Sequence, residues 1–92
     1  MSMSDLETVH NYYERKVFQE VHENYTHSGL TSNQLADMAC IALNRIPPKY
    51  IRYDIDMSFY MSGSEYLEHE AKVKKAVKKA YRKIKNIDDD EA

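Results

Sequence analysis

Apolar residues recur every three or four positions over the first part of the chain, which predicts an amphipathic helix from about Asp5 to Tyr25. The positions that form this stripe are Leu6, Val9, Tyr13, Val17, Val21 and Tyr25. Ser4 is a candidate N-cap, because Glu7 follows it at the spacing of a capping box. Gly29, beyond the end of the stripe, suits the left-handed conformation that often follows a helix.

A second helix is predicted to begin near Thr31, which has Gln34 at capping-box spacing. Positions 35–43 are apolar except for Asp37, so this helix should be buried on nearly all sides at the centre of the domain. Cys40 falls within the run and is expected to be a small core residue. The prolines at 47–48 should end the helix, because proline lacks the amide donor and clashes with the preceding turn.

After the prolines the period changes to two, with apolar and polar residues alternating from Ile51 to Ser58. This pattern predicts a half-buried strand, the one clear strand signal in the sequence. A lone strand would leave backbone groups unpaired, and the same strand of a second copy could pair with it across a two-fold axis. The alternative is an extended segment that crosses the helices and bonds to water. The pattern leaves both open.

A third helix should start near Ser64, since Ser62 and Glu65 again have capping-box spacing. Its predicted inner face consists of Leu67, Ala71, Lys74, Val77, Ala80 or Tyr81, and Ile84. The other faces carry lysines, and the helix should fray near Asn86. The predicted fold class is therefore mostly α: a three-helix domain with one short strand after the central helix.

A chain of 92 residues is long enough for one domain, here taken as 1–92, with an ordered core at about 5–86 and a disordered acidic tail at 87–92. A domain of this size buries a limited share of its surface, which favours association of two copies as a homodimer. A single cysteine permits no internal disulfide and fits a reducing compartment. No apolar run is long enough to span a membrane, and the acidic N-terminal stretch lacks a signal-peptide core. These features predict a cytoplasmic protein with no membrane partner.

The segment that joins the second helix to the predicted strand resembles the signature of the late-competence ComFB family. The matching residues are Asp37, Ala42, Leu43, Asn44, Arg45, Ile46, Pro47, Pro48, Tyr50 and Ile51. Residues 10–14, followed by Val17 and Val21, are similar to the family's Asn-x-x-Glu element. The resemblance covers roughly residues 8–60, and the last helix resembles the family only in being helical.

The resemblance implies a signalling module, because some relatives, notably in cyanobacteria, are receptors for cyclic dinucleotides such as cyclic di-GMP. Other members carry a Cys-x-x-Cys just before the Asp, which suggests a metal or redox site in them. Thr31 and Gln34 occupy the corresponding positions here, so no metal and no cofactor is expected. The alternative function is a ligand-free homodimeric adaptor, linked to competence or motility, that binds a downstream protein partner.

A cyclic dinucleotide receptor needs cations for the phosphates, flat groups for stacking and amide or carboxylate groups for purine edges. The predicted ligand-binding residues are Arg45, Lys49, Arg52, Tyr53, Asn44, Tyr50 and Glu14. Structural roles are the alternative for some of them: Arg45 could pair with Glu14, Asn44 could cap the central helix, and Tyr50 could belong to the core.

The remaining charged residues and histidines are better explained by structural or solvent-exposed roles than by binding or catalysis. The lysines of the third helix could attract a nucleic-acid backbone, but such a run is more often a solvated face, and nucleic acid is not the favoured partner. The four histidines lack metal-ligand spacing. Asp54 and Asp56 would share one side of the strand, where charges discourage edge pairing. The sequence therefore predicts no enzymatic activity and no catalytic residues.

Overall fold

The computed structural model describes residues 3–53, 55, 57 and 61–91. The elements in chain order are α1 (Met3–Leu6), β1 (His10–Asn11), α2 (Tyr12–Tyr25), α3 (Ser32–Arg45), β2 (Tyr50–Ile51) and α4 (Gly63–Glu91). The two short strands pair antiparallel, with His10 opposite Ile51 and Asn11 opposite Tyr50. The predicted mostly α fold class is confirmed, with four helices and one small sheet in the part of the chain described.

The core lies where α2, α3 and α4 pack against one another. The buried residues are Tyr12, Tyr13, Val17 and Val21 of α2, Met38, Ala39 and Ala42 of α3, Val73, Ala76, Val77, Ala80 and Ile84 of α4, together with Leu30 and Ile46. Met38, Val17 and Val77 are the largest side chains that are completely buried. No charged or polar residue is buried within the described ranges, so apolar packing holds the three helices together.

The predicted first helix from Asp5 to Tyr25 is wrong over its first third, where the chain forms the end of α1, a turn and β1. The amide of Val9 bonds to the carbonyl oxygen of Leu6, which closes a turn after α1. Both side chains are 46% exposed, so they lie outside the core stripe. Ser4 lies inside α1, and the N-cap of the long helix is Asn11, whose side chain accepts from the amide of Tyr13.

The predicted start of α3 is confirmed in detail. Thr31 is the N-cap, and Thr31 and Gln34 make both hydrogen bonds of a capping box. The helix ends at Arg45, just before Pro47 and Pro48, as proline chemistry requires. Gly29 lies in the connection before it with a φ of 90°, which a residue with a Cβ rarely adopts.

The prediction that α3 is buried on nearly all sides is wrong. Ala36 and Cys40 are exposed, and Leu35 and Leu43 are half-buried at the edge of the core. The reason is geometric: α2 and α4 cover one side of α3, and no third described element covers the other. Cys40 is therefore a surface thiol rather than the core residue that the sequence predicted.

The predicted strand from Ile51 to Ser58 is also wrong at every described residue after Ile51. Ile55 and Met57 have helical backbone, and Asp54, Asp56 and Ser58 lie outside the described residues. The partner strand β1 has only two residues, so it can satisfy the backbone of β2 and no more. Because β2 pairs within its own chain, the argument for pairing between copies loses its premise, and the homodimer stays a prediction.

Helix α4 begins where it was predicted, and its inner face is partly different. The amide of Glu65 donates to the hydroxyl of Ser62, in agreement with the expected cap. Val77, Ala80 and Ile84 are buried as predicted, whereas Leu67 is 67% exposed and the inner face also includes Val73 and Ala76. The helix continues past Asn86 to Glu91, and the predicted disorder of residues 87–92 stays a prediction.

Candidate ligand-binding surface

The start of α2 is joined to the segment after α3 by one side chain, Asn11. Its Oδ1 atom accepts from the amide of Tyr13 at 3.2 Å and from the amide of Lys49 at 3.0 Å. The amide of Tyr12 also donates to the carbonyl oxygen of Lys49, at 2.6 Å. Two hydrogen bonds therefore hold Lys49 against the start of α2, and the third fixes the Asn11 side chain on the first turn of that helix.

This arrangement forms a shallow recess of about 420 Å³ at the end of α3, hereafter the junction recess. It is lined by Asn11, Leu43, Asn44, Arg45, Ile46, Pro47, Pro48 and Tyr50. Three predicted ligand-binding residues, Asn44, Arg45 and Tyr50, thus meet at one place. Tyr50 is 67% exposed, so the alternative that it belongs to the core is wrong. Its ring offers a flat surface for stacking.

A second recess, of about 290 Å³, lies between the end of α3 and the middle of α4, hereafter the basic recess. It is lined by Arg45, Ile46, Pro47, Lys72, Lys75, Ala76 and Lys79. Four of these side chains are cationic and none is acidic. The basic recess shares Arg45, Ile46 and Pro47 with the junction recess, so the guanidinium group stands between a cationic surface and an aromatic one.

The other predicted ligand-binding residues lie outside both recesses. Arg52 donates through Nε to the hydroxyl of Thr8 at 3.0 Å and through a terminal nitrogen to the hydroxyl of Tyr53 at 3.2 Å. Its guanidinium carbon lies 5.2 Å from the centre of the Tyr53 ring. The guanidinium group of Arg52 is therefore largely occupied by contacts within the protein. Glu14 lines a separate recess on α2, away from Arg45.

Asn44 has a structural contact as well as a place in the junction recess. Its Nδ2 atom donates to the carbonyl oxygen of Cys40 at 3.0 Å, one turn earlier in α3. In the helix this carbonyl already accepts from the backbone amide of Asn44, so the bond anchors the side chain and does not cap α3, whose C-cap is Ile46. Its Oδ1 atom makes no hydrogen bond to any residue in the described ranges.

Sequence reasoning missed Lys72, Lys75 and Lys79 as members of the surface that contains Arg45. The sequence did carry a signal, because spacings of three and four place these lysines on one face of a helix. The same run contains other lysines at equivalent spacings, such as Lys74 and Lys78. Only the packing of α3 on α4 distinguishes the two sets.

An aromatic and charged cluster joins the N-terminal parts of α2 and α4. The hydroxyl of Tyr13 lies 2.5 Å from Nδ1 of His69. Burial lowers the pKa of His69, and the positive charges of Lys49 and Lys72 lower it further. The neutral imidazole is therefore favoured, and Nδ1 can accept from the tyrosine. Burial also raises the pKa of Tyr13.

Lys16 belongs to the same cluster and is held by several partners. Its Nζ atom bonds to Glu70 at 3.2 Å and lies 4.9 Å from the centre of the Tyr66 ring. Burial lowers the pKa of Lys16, but the hydrogen bond to Glu70 and the nearby tyrosines outweigh burial and raise the pKa overall. The cluster therefore ties α2 to α4 and has a structural explanation.

An apolar groove of about 520 Å³ runs between α2 and α3 on the side away from α4. It is lined by Phe18, Val21, His22, Leu35, Ala36, Ala39, Cys40 and Leu43. Phe18 is 49% exposed at its edge. The groove exists because α3 is covered on one side only, which the sequence did not predict.

Neither a metal-binding cluster nor a membrane-spanning helix occurs in the described part of the chain. In the residues described, no group of three or more histidine, cysteine, aspartate or glutamate side chains could hold a metal ion. Across the same residues, no helix combines the length and the hydropathy that crossing a bilayer requires.

Comparison with known proteins places the chain in a family. The model of the family described as late competence development protein ComFB matches residues 10–87, which includes α4 up to residue 87, with its lysines, as well as the signature at the end of α3. No curated protein and no solved structure matches the chain. The family match covers most of the 92 residues, so the chain belongs to the ComFB family.

Proposed function

We propose that this protein is a signalling module that binds a cyclic dinucleotide at the junction recess and transmits the signal by contact with a partner protein. One observation carries the proposal: Arg45 has no hydrogen bond or ion pair to any described residue and stands between an exposed tyrosine and three lysines. In this proposal the protein acts in the cytoplasm and does not transform its ligand.

The chemistry of the two recesses supports a nucleotide rather than a simple anion or an apolar ligand. A guanidinium group can bind phosphate through two parallel hydrogen bonds. The ring of Tyr50 can stack on a purine, and the free carbonyl of the Asn44 side chain can accept from a purine amino group. A molecule with both phosphates and bases would use both surfaces at once.

A thermal-shift titration tests the proposal. A ligand that binds only the folded state stabilises it by about 2.7 kcal/mol at a hundredfold excess over the dissociation constant, so cyclic di-GMP or cyclic di-AMP should raise the melting temperature. The linear dinucleotide of the same bases is the matched control and should raise it less. If neither cyclic compound shifts the transition at millimolar concentration, the receptor proposal is wrong.

The apolar groove between α2 and α3 favours the second candidate, a homodimeric adaptor. The groove carries both an exposed side chain, Phe18, and an open apolar surface on α3. In a two-fold dimer the same surface of each copy meets its counterpart, so that surface must be complementary to itself, with a protruding side chain and an apolar groove to receive it. We therefore propose a second copy of this chain as the occupant of the groove.

Sedimentation at micromolar concentration should give a mass of about twice 10.8 kDa. The change Phe18→Ser should shift the protein toward the monomer, because it removes the exposed aromatic side chain from the groove. The matched control Leu67→Ser alters an exposed apolar residue on α4, away from the groove, and should leave the mass unchanged. A monomeric wild type over this range would exclude the dimer.

A further inference from the structure

We infer that Lys72, Lys75 and Lys79 of α4 form the phosphate-binding half of the site, with Arg45 as the fourth cation. The inference rests on the proposed function for the identity of the ligand. It goes beyond the family signature, which ends before α4. It also reverses the interpretation of the lysine run as a uniformly solvated face.

Packing against α3 is what separates these lysines from the rest of the run. Ala76, which is 6% exposed, lies between them on the helix surface and forms the floor of the basic recess with Ile46 and Pro47. A larger side chain than alanine at this position would narrow the recess. The three lysines line the recess around this small residue, together with Arg45.

The recess also lacks the negative charge that would balance these cations. Between Glu70 and Asp88 the sequence of α4 contains no acidic residue. None of the four cations has an ion pair with a residue in the described part of the chain. Glu70, the nearest acidic residue before them on α4, is paired with Lys16 of α2. Like charges on adjacent turns repel one another, so a bound anion would stabilise this end of the molecule.

The shape of the surface favours a compact phosphodiester over a long polyanion. A nucleic-acid strand would follow the basic helix and contact its other exposed lysines as well. The basic recess instead shares Arg45, Ile46 and Pro47 with the junction recess, whose lining includes Tyr50. A ligand with a phosphate in the basic recess and a base in the junction recess fits this geometry, which is the arrangement in a cyclic dinucleotide.

Two triple variants with equal charge test the inference. The first, K72A/K75A/K79A, removes the lysines of the basic recess; the second, K74A/K78A/K83A, removes three exposed lysines of α4 that do not line it. Each variant changes the formal net charge from −2 by three units, to −5. All six positions are exposed, so both variants should melt close to the wild type.

Calorimetric titrations with cyclic di-GMP, cyclic di-AMP and inorganic pyrophosphate would be compared across the three proteins. We expect the first variant to bind the cyclic dinucleotide at least about tenfold more weakly and the second to stay within about twofold of the wild type. Equal losses in both variants would overturn the inference in favour of a diffuse field. Normal binding by the first variant would also overturn it, while leaving the proposed function intact.

The pyrophosphate titration separates failure of the inference from failure of the proposed function. If the wild type binds no cyclic dinucleotide but binds pyrophosphate, and only K72A/K75A/K79A loses that binding, the recess is a phosphate site and the ligand was misidentified. If the wild type binds neither compound, both proposals fail. Titration at two salt concentrations should show weaker binding at the higher one, because exposed charges are screened.

Discussion

Replacing Met38 with alanine should lower the free energy of unfolding by about 2–5 kcal/mol, the range seen when a large buried side chain is removed from a core. Met38 is completely buried on the inner side of α3, facing the core that α2 and α4 complete. A chain of this length has a total stability of roughly 5–14 kcal/mol, so the loss would be a large part of it. Urea denaturation followed by circular dichroism would measure the change.

Two variants serve as controls for this result. Lys78→Ala should change the free energy of unfolding by less than about 0.5 kcal/mol, because the side chain is exposed on α4. Leu43→Ala should cost less than Met38→Ala, because Leu43 is only half-buried and borders the open groove. If the lysine variant were the least stable of the three, the assignment of the inner faces of the helices would be wrong.

Truncation of Arg45 should weaken binding of a cyclic dinucleotide by about ten- to a hundredfold. A hydrogen bond to a charged group contributes roughly 1.5–3 kcal/mol, and each 1.4 kcal/mol is a factor of about ten in affinity. Arg45 is the one charged side chain that lines both recesses, so its loss should weaken both the binding of the phosphate and the orientation of the ligand toward Tyr50. Isothermal titration of Arg45→Ala beside the wild type would give the ratio.

Variants of the two neighbouring tyrosines sharpen the test. Tyr50→Ala should lose a stacking contact of about 1–3 kcal/mol, whereas Tyr53→Ala should bind nearly normally because Tyr53 lines neither recess. Arg52→Ala should resemble Tyr53→Ala, since its guanidinium already bonds to Thr8 and Tyr53. Loss of binding through Arg52 with normal binding by Arg45→Ala would move the ligand to the β2 edge.

Sequence signals predicted the fold correctly where the structure depends on interactions between residues close together in the sequence. The capping box at Thr31 and the stop before Pro47 depend on side chains within one turn, and both were confirmed. The strand prediction depended on a partner elsewhere. The alternating pattern from Ile51 needed a long partner strand, but β1 offers only two residues, so Ile55 is helical instead.

The same holds for the candidate site: residues close together in the sequence were predicted, and residues that only helix packing brings together were not. Asn44, Arg45 and Tyr50 are close in sequence and meet in one recess, so a short motif was enough to group them. Lys75 lies thirty positions after Arg45, and nothing in its neighbourhood distinguishes it from Lys74. The packing of α3 against α4 decides which lysines line a recess with Arg45.

The two hydrogen bonds accepted by Asn11 have a consequence for allostery. They join the Lys49 backbone, beside the junction recess, to the first turn of α2, and Phe18 borders the groove further along the same helix. A ligand that orders the segment after Pro48 would therefore also order the start of α2. Coupling between two binding equilibria is reciprocal, so an occupant of the groove would tighten the ligand by the same factor that the ligand tightens the occupant. Asn11→Ala should weaken this coupling, but the backbone bond from Tyr12 to Lys49 would remain. Because Asn11 also lines the junction recess, ligand affinity would be compared with the groove occupied and unoccupied.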